Sequence, residues 1–143
     1  MSLSVILRDN RQLAKHKDPN MADDFTLVTH EQASMESFEW GELHWYAAGE
    51  LSHSTGLTVG RCILKSKCSN PIHYHPNCEE VLHVLGGSIE HYIDGKGWFV
   101  MNTGDSITIP KDIKHGARNI GDGEAHLLIA FSSAHQQTIG ESQ

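Results

Sequence analysis

The densest chemistry in the chain lies in Asn70-Pro71-Ile72-His73-Tyr74-His75-Pro76-Asn77-Cys78-Glu79-Glu80. On an extended strand, residues two apart share a face, so His73 and His75 point one way while Ile72 and Tyr74 point the other. Two imidazoles side by side make a pincer for a metal ion. A short turn containing Pro76 and Asn77 then reverses the chain, and the next strand opens with a carboxylate beside the pincer. Glu80 is taken as that carboxylate and Glu79 is the alternative. A second segment, from Gly104 to Asn119, ends a strand at Pro110, turns, and returns through His115. Three neutral imidazoles and one carboxylate form a mixed nitrogen and oxygen set that suits Fe, Mn, Ni, Cu or Zn better than Mg or Ca. An octahedral ion held by four such groups keeps two positions open, where water, dioxygen or a substrate carboxylate or enolate can be polarised or activated.

The elements that must position these groups read as β-strands. From Glu42 onward, short runs rich in Val, Ile, Leu, Trp and Thr alternate with Gly, Asn, Asp and Pro clusters. Strands are expected at Glu42 to Ala47, Leu57 to Leu64, Ile72 to His75, Glu80 to Leu85 and Ser88 to Ile93, then at Trp98 to Asn102, Ser106 to Ile109, His115 to Asn119 and Ala125 to Ser132. Between them, Gly86-Gly87, Asp94-Gly95-Lys96-Gly97, Thr103-Gly104-Asp105 and Gly121-Asp122-Gly123 supply residues that tolerate positive φ or cap a tight reversal. Regular hairpins of this spacing imply an all-β sandwich or barrel. No heptad run or convincingly capped helix interrupts the pattern. Residues 1–34 are polar and weakly periodic and read as an arm; residues 134–143 read as a polar, flexible tail.

Both metal-ligand segments resemble the two motifs of the cupin superfamily, over about Leu57 to Ser132. The first family motif is H-x-H, three or four residues, E, six residues, G; Glu80 with Gly87 fits the longer variant and Glu79 with Gly86 the shorter. Glu80 is preferred because the longer turn is similar to the bicupin and germin pattern. The second motif, G, five residues, P-x-G-x-x-H, three residues, N, is met by Gly104, Pro110, His115 and Asn119. Asp112 departs from it, standing where the family has Gly, and Asp tolerates the left-handed backbone better than most residues. The resemblance implies a double-stranded β-helix, the jelly-roll barrel, over residues 35–133. It also implies one divalent metal ion held by His73, His75, Glu80 and His115.

What the resemblance implies for function is broad, spanning dioxygenases, decarboxylases, isomerases, lyases and non-catalytic binders. The leading expectation is a metal-dependent dioxygenase, isomerase or lyase acting on a small polar or anionic metabolite. The alternative is a non-catalytic metal-containing cupin that binds a small molecule, which an apolar pocket with the metal as its one polar feature would favour. His44 and Tyr46, on the polar face of the Glu42 to Ala47 strand, are candidate substrate contacts. His83 falls on the strand face opposite Glu80 and is set aside as a ligand, while His91 and His126 either line the barrel mouth or cover its outside.

Composition narrows the partners. Eleven Lys plus Arg against eighteen Asp plus Glu give a net charge of -7, which disfavours nucleic acid and anionic lipid. No apolar stretch approaches the length of a membrane span and no secretory signal layout opens the chain, so a cytoplasmic protein is expected. Three cysteines, an odd number, fit reduced thiols. A homodimer is expected, with Val5-Ile6-Leu7 and Phe25-Thr26-Leu27-Val28 of the arm as swapped or added strands.

Overall fold

The structure, a computed structural model, describes residues 25–51 and 53–140. The chain divides into two compact units, residues 1–32 and 33–143. Of the first unit, Phe25 to Thr29 carry no regular structure and His30–Gln32 form a single 3-10 turn, closed by the Thr29 amide donating to Oε1 of Gln32. Phe25-Thr26-Leu27-Val28 therefore form no strand within this chain, and Val5-Ile6-Leu7 lies outside the described residues. No described helix is long and apolar enough to cross a membrane.

Among the described residues, the second unit has eleven strands: β1 (Ser34–Phe38), β2 (Gly41–Ala47), β3 (Thr58–Leu64), β4 (His73–Tyr74), β5 (Glu80–Gly86), β6 (Ser88–Ile93), β7 (Gly97–Asn102), β8 (Ser106–Ile109), β9 (His115–Asn119), β10 (Ala125–Phe131) and β11 (Ile139–Gly140). They form two antiparallel sheets, β1-β2-β3-β10-β5-β8 and β11-β4-β9-β6-β7. The hydrophobic pattern explains which side of each strand faces the other sheet. Along β3 and β10 burial alternates residue by residue, so that Cys62 and Leu64 turn inward with Leu127, Ile129 and Phe131. From the second sheet, Ile89, Met101 and Ala117 join the same buried cluster. The result is a two-sheet β sandwich, as the turn-bounded strand pattern predicts, in the jelly-roll form that the cupin resemblance implies.

Two backbone features fix the corners. Gly87, which ends the first motif, has φ +86, and a Cβ there would sit 3.0 Å from Cα of Ala125, so both conformation and space demand glycine. Asp112 takes φ +66, the left-handed conformation expected of it, and its amide donates to the His75 carbonyl at 2.9 Å. The turn of the second motif is thereby tied directly to the metal-ligand segment of the first.

The nine strands expected from the sequence are all present, with ends shifted by at most one residue. Two further strands, β1 and β11, appear at the ends of the barrel unit. β11 also changes the picture of the tail: a flexible segment is expected from residue 134, but through Gly140 the chain lies against the barrel. Ala134 is buried, β11 pairs with β4, and Asn77 clamps the segment by donating to the His135 carbonyl (2.8 Å) and accepting from the Gln137 amide (3.0 Å).

Candidate metal centre

Each of the four candidate ligands reaches the barrel interior for a local reason. In β5, Glu80 is in phase with Leu82 and Val84, so the period-two alternation that buries those aliphatics also buries the carboxylate, at 4% exposure. Glu79 lies one residue earlier, exposed, with its amide and carbonyl both bonded to Ser132. In β9, His115, Ala117 and Asn119 point inward together. His115 stands directly across from His73 of β4 in the ladder, which sets their rings 4.4 Å apart. His75 follows β4 and is 3% exposed. One sheet thus contributes the imidazoles and the facing sheet the carboxylate, and the four donor atoms lie within 4.8 Å of one another.

The hydrogen bonds around the rings decide which nitrogen faces the cluster. Nδ1 of His73 donates to the Pro71 carbonyl (2.7 Å), Nδ1 of His75 to the Gln137 carbonyl (2.8 Å) and Nδ1 of His115 to the Ile113 carbonyl (2.8 Å). A carbonyl oxygen only accepts, so each Nδ1 carries its hydrogen, and in the neutral ring Nε2 presents a lone pair. Nε2 of His75 and of His115 nevertheless sit 3.0 and 2.8 Å from the same carboxylate oxygen, Oε2 of Glu80. Acceptors at that distance repel unless positive charge lies between them, supplied by a proton or a cation. Three rings fixed at Nδ1 by backbone carbonyls, two of them with Nε2 against one carboxylate oxygen and the third within the same 4.8 Å cluster, fit a divalent ion well.

The electrostatics agree. Burial alone would raise the Glu80 carboxyl, but hydrogen bonds from His115 and His75 outweigh it and hold the group well below the usual carboxylate range. Burial alone would lower His115, yet Glu80 draws it upward. Burial and the nearby His115 push His73 down to about 4, so its ring stays neutral and ready to ligate.

A cavity of about 260 Å³ opens beside the cluster. Besides His73, His75 and Glu80, its lining includes Phe38, Trp40, Leu43, Trp45, Cys62, Leu82, Leu127, Ile129 and Phe131, with Asn70, Gln136 and Thr138 as uncharged polar neighbours. Here the sequence reading is corrected: β2 presents Leu43 and Trp45 to the cavity, and His44 and Tyr46 lie on its other face. The alternation was visible, but the apolar face is the one that packs inward. His44 instead bonds Glu42 at 2.9 Å. His83 is also on the outside, bonded to Ser106.

The sequence left His91 open between the barrel mouth and the outside. It is 1% exposed, stacked against the His115 ring at a centroid distance of 5.6 Å, and burial followed by the charge of His115 lowers it to about 4. The available signal was its phase, since it alternates with Ile89 on the inward side of β6. Asn119 closes the second motif as a buried clasp, its amide donating to the carbonyls of Leu64, Lys65 and Gly123 and accepting from the Gly121 amide.

Comparison with known proteins places this geometry in a family. The cupin domain model matches residues 60–131, half of the chain. Germin-like protein 3-8 of Oryza sativa subsp. japonica is 29% identical over 85 residues, covering 57% of this chain and 38% of that protein. Polyketide synthase CurC of Streptomyces cyaneus is 38% identical over 60 residues, covering 42% of this chain and 38% of that one. The chain thus matches less than half the length of these relatives. Among solved structures, the formate complex of oxalate decarboxylase from Lactobacillus farciminis superposes with a TM-score of 0.76 at 19% identity, over 90% of this chain and 40% of that chain, a likeness of fold. With two facing antiparallel sheets, both motifs in place and a family model spanning β3 to β10, the chain belongs to the cupin domain family.

Proposed function

We propose that this chain is a mononuclear metal cupin that binds a small organic molecule at the open positions of an ion held by His73, His75, Glu80 and His115. The observation that carries the reading is the gathering of three imidazoles, each held at Nδ1 by a backbone carbonyl, and one buried carboxylate, with their ligand atoms within 4.8 Å of one another beside a cavity. A divalent ion there supplies Lewis acidity toward an oxygen donor. The chain supplies the rest: three rings fixed in one tautomer, one negative charge, and apolar walls that keep water away.

The character of the walls favours the binding reading over acid and base chemistry. Apart from the proposed ligands, the one titratable side chain among the described residues that lines the cavity is Cys62, whose thiol burial and the nearby Glu80 push up to about 12. An isomerase or lyase needs a side chain that takes up or delivers a proton near neutrality. Among the described residues, no such group besides the ligand set lines this cavity. Of the small polar or anionic metabolites expected from the sequence, one that is polar throughout or multiply charged suits these walls poorly.

Cobalt(II) tests the reading directly. Titration of the metal-free protein should give saturating visible bands at one equivalent, and azide should then shift those bands by entering an open position. Bands unmoved by azide, or no saturable cobalt uptake, would contradict it.

A further inference from the structure

We propose, resting on the metal-site reading above, that the molecule this cavity takes is a flat, largely apolar body of one or two rings bearing two adjacent oxygens that chelate as a monoanion. Three observations carry this: the charge of the ligand set, the chemistry of the walls and the size of the space.

The ligand set carries one formal negative charge, on Glu80, so a divalent ion within it leaves a single positive charge to be met by the incoming molecule. A monoanion closes that balance. A dianion such as oxalate would leave one net negative charge in the cavity, and among the described residues no Lys or Arg lines it to compensate. An uncompensated charge among apolar walls is unfavourable, so the site selects by charge as well as by shape.

Polar recognition beyond the ion is limited, because the lining holds few polar side chains and several of their atoms are already engaged. The Trp45 indole N–H donates to Glu36 at 2.7 Å, which leaves its ring as an apolar surface. The Asn70 side-chain oxygen accepts from the Ala117 amide, and the Thr138 hydroxyl donates to Gln136. The apolar surface, by contrast, begins at the ligands themselves. The Phe131 ring meets His75 edge-on at 4.9 Å and leans toward Trp45 at 6.3 Å. Phe38 and Trp40, stacked at 4.8 Å, extend the aromatic lining. A dry cavity of about 150 Å³ accepts benzene. The 260 Å³ here accommodates a somewhat larger body. Burying such a body against these walls removes apolar area from water, which a two-carbon dianion cannot exploit.

Calorimetry on protein loaded with one equivalent of cobalt(II) tests the inference, with tropolone and oxalate as probes and each affinity compared with that for free cobalt(II). Relative to the free ion, the protein should favour tropolone over oxalate by about tenfold or more. Leu43→Gln should reduce that preference at unchanged cobalt content, and the wild-type ratio decides the matter even if this variant folds poorly. A protein that holds cobalt but favours oxalate would overturn the ligand class and leave the metal site standing. Equal binding of tropolone to metal-free protein would overturn chelation as its mode. A protein that takes up no cobalt would overturn the metal-site reading and this inference together.

Discussion

The ligand cluster and the apolar walls share strands but differ in what holds them together. β5 gives Glu80 to the cluster and Leu82 to the wall, two residues apart on one face. The walls are ordinary core, stabilised by area removed from water and tolerant of exchange among similar volumes. The cluster is costly core: a carboxylate and two imidazoles almost wholly buried, the rings oriented by backbone carbonyls that no side-chain substitution can replace. Removing a wall residue should therefore damage the fold and spare metal binding, whereas removing a ligand should do the reverse.

The largest effect is expected at His115. Structural metal sites gain roughly 10–16 kcal/mol from about four ligands. Losing one should weaken affinity by about 100- to 1000-fold. His115→Ala should lose its metal on dialysis, measured by plasma mass spectrometry, while the β-rich circular dichroism spectrum persists. Leu127→Ala is the converse. Leu127 is fully buried and lines the cavity. Its truncation should lower unfolding stability by about 2–5 kcal/mol in urea titrations, with metal content unchanged. Loss of metal in that variant, or unfolding of the first, would erase the distinction.

A smaller effect is expected at Asn77, which touches neither region directly. Its side chain fixes the segment whose Gln137 carbonyl orients His75. Asn77→Ala should weaken metal binding by about tenfold, the scale of losing a group that orients a ligand. An unchanged affinity would show that the tail does not set the His75 ring.

That residue also shows where the sequence stops being legible. The nine strands could be read because each is an apolar run bounded by turn residues, and the cluster because its spacing encodes alternation and a hairpin. β11 is two residues whose place is decided by Asn77 and His75, some sixty positions upstream, so no local signal announces it. β1 alternates weakly, and four of its five residues are exposed. For β2 the two faces were evident, but assigning His44 and Tyr46 to the pocket presumed a polar ligand. Leu43 and Trp45 face inward because the facing strands are apolar there. The inward phase of His91 was readable, yet its stacking on His115 depends on how β6 and β9 pair.

The smallest effect concerns pH. In the metal-free protein, burial and the neighbouring His115 keep His91 neutral down to about 4, whereas in the unfolded chain it takes up a proton near 6.5. The unfolded state therefore binds more protons between those values, and this group withdraws stability as pH falls from about 6.5 toward 4. His91→Leu should make the decline in urea midpoint over that window shallower. An unchanged slope would remove His91 from the acid response.

The most direct test of the central claim is an anomalous difference map from crystals grown without added metal. One peak is predicted, about 2.0–2.2 Å from Nε2 of His73, His75 and His115 and from the Glu80 carboxylate. A peak coordinated elsewhere, or ligand rings turned away from one another with no peak between them, would contradict it.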